Sequence, residues 1–187
     1  MQRGWISPEF IIKSGKINNT LISGYASVFG VTDSQNDMIA KGAFRSAEKD
    51  RVKLLWQHDV TKPIGIITIL EEDEYGLKIE AEINNRLTAG AEATELIKQK
   101  AVCGLSVGFT INSSNFDKQG VRVITDAKLM EVSVVTFPAN DKATIIHMNR
   151  QTKSAVGLKE QTSALRSKKI SVQLAELESL INKLEEY

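Results

Sequence analysis

Leu105, Val107, Phe109 and Ile111 alternate with Ser106, Gly108 and Thr110 through the stretch GLSVGFTI. A period of two with β-branched and aromatic members is the pattern of a strand. The same letters spell G-x-S-x-G, the nucleophile elbow of α/β-hydrolases, in which the serine sits on a sharp strand-to-helix turn. That elbow needs helical periodicity after Ser106, and the alternation opposes it. At 187 residues the chain is also short for an α/β-hydrolase. It is therefore constrained to run a strand straight through its serine, with Ser106 facing away from the apolar row. Two readings of Ser106 follow: a small residue between glycines that lets another element approach closely, or a nucleophile carried on a strand.

Hydrophobic residues make up 42% of the chain and charged residues 25%, enough apolar material for one core domain plus an appendage. A formal charge of +1 gives no basic field, so no nucleic-acid partner is expected. No apolar run approaches the roughly 18 residues of a spanning helix, and MQRGWISPEF has neither the apolar region nor the cleavage site of a signal peptide. The expectation is a soluble, cytoplasmic protein without a membrane partner. The single Cys103 excludes an intramolecular disulfide, and with only His58 and His147 there is no zinc-type Cys/His cluster. No metal or cofactor is expected. In its Val-Cys-Gly setting Cys103 is expected to be a buried, inert thiol.

Along the chain, strands are expected at 17–31, 52–58, 66–70 and 77–83, the last two forming a hairpin around EEDEYG. A short helix is expected near Phe44 to Lys49, and DVTKPIG reads as a turn. Asp33 and Asp37 suit loop hydrogen bonds rather than a cation site, because the EF-hand spacing is absent. Thr88 is placed to cap a helix ending near Lys100, with Ala91, Leu96 and Ile97 as its apolar face and Glu92 and Glu95 early in it. After the Ser106 strand come a polar loop at 112–120 and strands at 121–124 and 128–137, the last stopped by Pro138. The fold class is α+β: a mainly antiparallel, barrel-like sheet with a few helices. Residues 1–149 form this domain and 150–169 a polar linker. In the tail, 170–187, Ile170, Leu174, Leu177, Ile181 and Leu184 are spaced 4, 3, 4 and 3, which suits self-association, a partner, or docking on the chain's own core.

A serine nucleophile needs a base and a group that orients the base. His58, in LLWQHD, closes a strand on the face shared by Val52, Leu54 and Trp56. His147 has less around it. Glu131, in KLMEVSVVTF, lies opposite Met130, Val132 and Val134, where a carboxylate is costly unless solvated or paired with a group such as an imidazole. An exposed sheet face, shared with Ser133, is the other reading. Ser106, His58 and Glu131 fall on three separate strands, so a triad exists only if the sheet brings those strands together.

The same stretches resemble the HK97-type prohead proteases of tailed bacteriophages, whose fold is related to the herpesvirus assembly proteases. The resemblance runs from about Leu21 to Ile146 and rests on GYASVFG, the Asp-rich loop before KGAF, LLWQHD followed by PIG, GLSVGF, and EVSVVTFPAN followed by Ala143. It implies that residues 1–149 are a serine protease domain, with Ser106 as nucleophile and His58 as base. The herpesvirus relatives carry a histidine as third member; here Glu131 stands in the equivalent strand, and His147 is the competing candidate. It also implies that the backbone N–H groups of Ala139 and Asn140, in PAND, stabilise the oxyanion. The implied activity is that of an endopeptidase that cleaves the scaffold segments of the major capsid protein, and itself, inside the assembling procapsid in the host cytoplasm. The alternatives are a non-catalytic assembly or scaffold protein of the same fold, and an esterase using His147 as base.

Overall fold

In the computed structural model, which describes residues 18–152, the order is β1 (Asn18–Val28), β2 (Asp37–Ile39), β3 (Lys53–Trp56), β4 (Asp59–Glu72), β5 (Gly76–Asn84), α1 (Thr88–Lys98), β6 (Gly104–Phe116), β7 (Arg122–Val135) and β8 (Ile145–Thr152). The expected linker overlaps the end of β8, which continues through Thr152. The rest of the linker and the expected helical tail at 170–187 lie outside the described residues.

The strands form one sheet in the order β2-β7-β3-β4-β5-β1-β8, with β6 on β7 as a branch. The hairpin neighbours β3/β4, β4/β5 and β6/β7 are antiparallel, as is β1/β5. The expectation of a barrel-like, mainly antiparallel sheet needs two corrections. First, β2 and β3 both pair with β7 in parallel, so the sheet is mixed. Fourteen residues of β7 are long enough to hold β2 at 122–124 and β3 at 131–134 in tandem. Second, the strand path is open. The branch strand β6 meets the residue before β8 through an isolated bridge between Gly104 and Thr144. Tyr25 N–H also donates to Thr144 O at 3.1 Å, and a Cβ on Gly24 would lie 2.1 Å from that oxygen.

Residues of β1, β4 and β5, among them Ile22, Ile64, Ile67, Leu77, Ile79 and Ile83, supply part of the core, which β2, β3, β6 and β7 complete with Ile39, Leu54, Leu105 and Val132. The α1 helix covers part of it with Gly90, Ala93, Thr94 and Ile97, the i, i+3, i+4, i+7 stripe of a helix against a sheet. Of the expected apolar face, Ile97 is buried and Leu96, half-buried, packs against the core, while Ala91 is only half-buried. The helix approaches β5 so closely that a Cβ on Gly90 would lie 2.3 Å from Asn84 O. Its N-cap is Leu87, without a side-chain hydrogen bond, and Thr88 is already helical. Tertiary ties hold the helix instead: Thr94 Oγ1 donates to Asn85 Oδ1 at 2.6 Å, and Asn85 Nδ2 donates to Thr20 Oγ1 on β1 at 2.9 Å.

Other local expectations also change. The segment expected as a helix near Phe44 is a run of turns, and DVTKPIG lies within β4. The expected strands at 121–124 and 128–137 are one strand, β7, and the polar loop after Ser106 shrinks because β6 extends to Phe116. Register shifts between Gly108 and Phe109 and again near Ser113 break the alternation that would have marked continuous strands. Cys103 is exposed, not buried, because its neighbours Val102 and Gly104 take the inward positions.

Candidate active site

The site forms where β7 has a neighbour on each edge. Toward β6, Ser133 stands opposite Ser106 and Glu131 opposite Gly108. Toward β3, Ser133 stands opposite Leu55 and Glu131 opposite Lys53. The sheet thus aligns β3 and β6 on the same two residues of β7, and the strand bearing His58's turn reaches them through the parallel pairing.

His58 is not on the strand itself. It follows Trp56 in a tight turn whose two central residues, Gln57 and His58, have φ of 54° and 58°, while Trp56 pairs with Asp59. Two consecutive left-handed residues between paired flanking residues suit the turn that matches strand twist. Turn and strand are tied at several points. Gln57 N–H donates to Val134 O at 3.0 Å, Gln57 Nε2 donates to Thr136 Oγ1 at 2.9 Å, and His58 N–H donates to Ser133 Oγ at 3.1 Å.

The imidazole then folds back onto β7, where His58 Nδ1 lies 2.6 Å from Glu131 Oε1. A carboxylate only accepts, so the proton is on Nδ1 and Nε2 is left as the acceptor nitrogen. The other carboxylate oxygen, Oε2, accepts from Ser133 Oγ at 2.6 Å. Glu131's side chain is 12% exposed and that of His58 45%. A carboxylate so sheltered needs partners for both oxygens, and it has them. Its path across β6 depends on Gly108, where an added Cβ would lie 2.3 Å from Oε1 and 3.0 Å from Cδ and Cγ.

Ser106 and His58 line one cavity of about 540 Å³, together with Phe137, Ala139 and Asn140. The link between Ser106 and His58 is this shared cavity and not a direct hydrogen bond among the described residues. Such bonds commonly tighten only when substrate binds. The backbone N–H groups of Ala139 and Asn140 have no acceptor among the described residues. The PAND segment is fixed by Asn140 Nδ2 donating to Val28 O at 2.9 Å and by Ser34 N–H donating to Ala139 O at 3.0 Å. Phe137, 89% exposed, stands at the rim.

The far wall of the cavity is the Asp-rich loop. Asp33 Oδ1 accepts the N–H groups of Gln35 and Asp37, and Asp37 accepts Arg122 Nε and a terminal guanidinium nitrogen, each at 2.7 Å. Bonding to Asp37 raises the pKa of Arg122 above its ordinary value. The Asp33 carboxylate thus builds the loop, as expected, whereas Asp37, the first residue of β2, spends its carboxylate on the tie to Arg122 of β7. His147 is exposed on β8, in a different depression beside Leu21 and Glu80, and does not line the Ser106 cavity. Ser133 and Gly108 were missed from sequence as members of the site. A signal for Ser133 was present, since Glu131 and Ser133 are two apart on a strand and share a face.

A family model described as Caudovirus prohead serine protease matches residues 9–156. The prohead protease of Enterobacteria phage HK97 is 34% identical over 134 residues, covering 68% of this chain and 60% of that protein. The chain thus matches less than two thirds of that relative's length. The prohead protease of Escherichia phage T5 is 29% identical over 170 residues, covering 85% of this chain and 79% of that protein. Among solved structures, the KSHV protease in complex with a hexapeptide phosphonate inhibitor is similar with a TM-score of 0.50 at 13% identity, covering 78% of this chain and 77% of that one. That likeness concerns the fold alone.

Proposed function

Because this chain belongs to the caudovirus prohead serine protease family, we propose that it is a serine endopeptidase of phage capsid maturation, acting on scaffold segments of the capsid protein inside the procapsid. The observation that carries this reading is the Glu131–His58 hydrogen bond beside a strand serine that opens into the same cavity. Ser106 Oγ attacks the scissile carbonyl carbon while His58 Nε2 takes its proton. Glu131 keeps the imidazole in that tautomer and stabilises the imidazolium that forms. The tetrahedral oxyanion is received by the N–H groups of Ala139 and Asn140, which are free to donate. His58 then returns the proton to the leaving amine, and a water activated by the same nitrogen hydrolyses the acyl-enzyme.

A histidine and a carboxylate are both competent third members, and burial together with a 2.6 Å bond favours Glu131 over the distant, exposed His147. The test is to incubate purified protein with its capsid protein and map the new termini by mass spectrometry. Ser106→Ala and His58→Ala are each expected to abolish processing with the fold intact, since removing one member of a catalytic unit costs nearly as much as removing all. Processing by Ser106→Ala at the wild-type rate overturns the reading.

A further inference from the structure

We infer that Ser133 is a positioning residue for the triad, holding both the acid and the turn that carries the base. This inference rests on the serine-protease reading above. The hydroxyl of Ser133 has a single proton. Glu131 Oε2 can only accept it, at 2.6 Å, so the lone pair left on Oγ receives His58 N–H at 3.1 Å. The donor direction is thereby fixed along the whole circuit. His58 N–H points to Ser133, Ser133 O–H points to Glu131, and His58 Nδ1–H points back to Glu131.

Both arms of this circuit start on His58 and end on the carboxylate of Glu131. His58 is gripped by its backbone and by its ring, so a left-handed turn residue that would otherwise be free to re-aim its imidazole has one orientation. Glu131, sheltered from water, would have Oε2 unpaired without Ser133, and the cost of leaving such an oxygen bare is relieved by rotating the carboxylate away from His58. Ser133 is fully buried and stands in register between Ser106 and Leu55. It therefore touches no substrate. Its effect reaches the reaction through Glu131 and His58.

The experiment compares full-length wild type, Ser133→Ala and Ser133→Thr in peptide hydrolysis, with the Nδ1 proton of His58 followed by NMR. Ser133→Ala is expected to lower kcat roughly 10- to 100-fold, the scale of one hydrogen bond to a charged group, with KM nearly unchanged. Its Nδ1 proton signal should shift or be lost by exchange, and Ser133→Thr, which keeps the hydroxyl, should recover most of both. Should threonine's added methyl not be accommodated, the Ser133→Ala signal decides alone. Wild-type kcat or an unaltered Nδ1 signal in Ser133→Ala overturns the inference. If that result comes with inactive Ser106→Ala and His58→Ala, the protease reading stands and only the role of Ser133 falls. Activity retained in Ser106→Ala removes the triad itself.

Discussion

At the scale of single residues, the site turns on what is missing at Gly108. Its backbone is paired to Glu131 across the β6/β7 ladder, and the glutamate side chain occupies the space that any Cβ would take. Glu131 reaches His58 only by lying over that position. Gly108→Ala is therefore expected to leave the strands paired while pushing the carboxylate off Nδ1, with kcat for peptide hydrolysis falling by roughly two orders of magnitude or more, by analogy with loss of a triad acid. Circular dichroism should be close to wild type. Wild-type turnover in Gly108→Ala would mean that Glu131 is not held where the reaction needs it. Sequence made the candidates Ser106 and Glu131 legible as chemically distinctive residues inside apolar strand patterns, and His58 as one at the end of such a pattern. Gly108 was not legible in the same way, since its role comes from cross-strand register, which fixes who stands opposite whom and is not written in local periodicity. The spacing of two put Ser133 on the face of Glu131, but its bond to the His58 backbone depends on the parallel pairing of a remote strand. The bend that makes His58 point back, two left-handed residues at Gln57 and His58, likewise lacked the glycine that usually announces it.

Elements were legible where hairpins are short and obscure where partners are remote. The β4/β5 hairpin followed from its acidic, Gly-ended turn. By contrast, the parallel docking of β2 and β3 on β7 depends on residues about 80 positions away, and no window of sequence contains both partners. The β4/β5 turn also supports a prediction about acid. Asp73 accepts Tyr25 O–H at 2.6 Å, Tyr75 N–H at 2.7 Å and Gly76 N–H at 2.9 Å. These bonds, the Tyr25 hydroxyl first among them, hold its carboxyl below the usual aspartate value. A depressed folded value means the stabilisation is complete above the unfolded pKa of about 3.9 and is lost as pH falls through the lower folded value. Tyr25→Phe keeps the edge-on packing against Tyr75, whose ring centroid is 4.7 Å away, and removes only the hydroxyl. Its urea midpoint should lie below wild type at pH 7, and the gap should narrow at acid pH as the charged acceptor is protonated. An equal gap at both values would show that Asp73 is not the hydroxyl's charged partner.

For the whole molecule, the question is how little of the chain the chemistry requires. Residues Asn18–Gln151 form one compact unit, and its core draws on strands β1 to β7 and on α1. Every residue assigned a role here, from His58 to Asn140, belongs to that unit. So do the ties that shape the cavity wall: the Asp37–Arg122 pair joins β2 to β7, and Ser34 N–H reaches Ala139 O. A fragment of residues 18–152, which ends where β8 ends, is therefore expected to fold and hydrolyse peptide with a kcat within about threefold of the full chain, and to be labelled at Ser106 by a fluorophosphonate. The sequence beyond carries the heptad-spaced Ile170, Leu174, Leu177, Ile181 and Leu184. Two heptads associate weakly alone, and we propose that this segment is a handle for scaffold or capsid protein. Deleting residues 170–187 should then spare peptide hydrolysis and reduce the amount of protein found in purified procapsids. Equal incorporation of the truncated and full chains would reject the handle. An unfolded 18–152 fragment would place part of the protease domain's support outside these residues, since nothing in its core is removed by the cut.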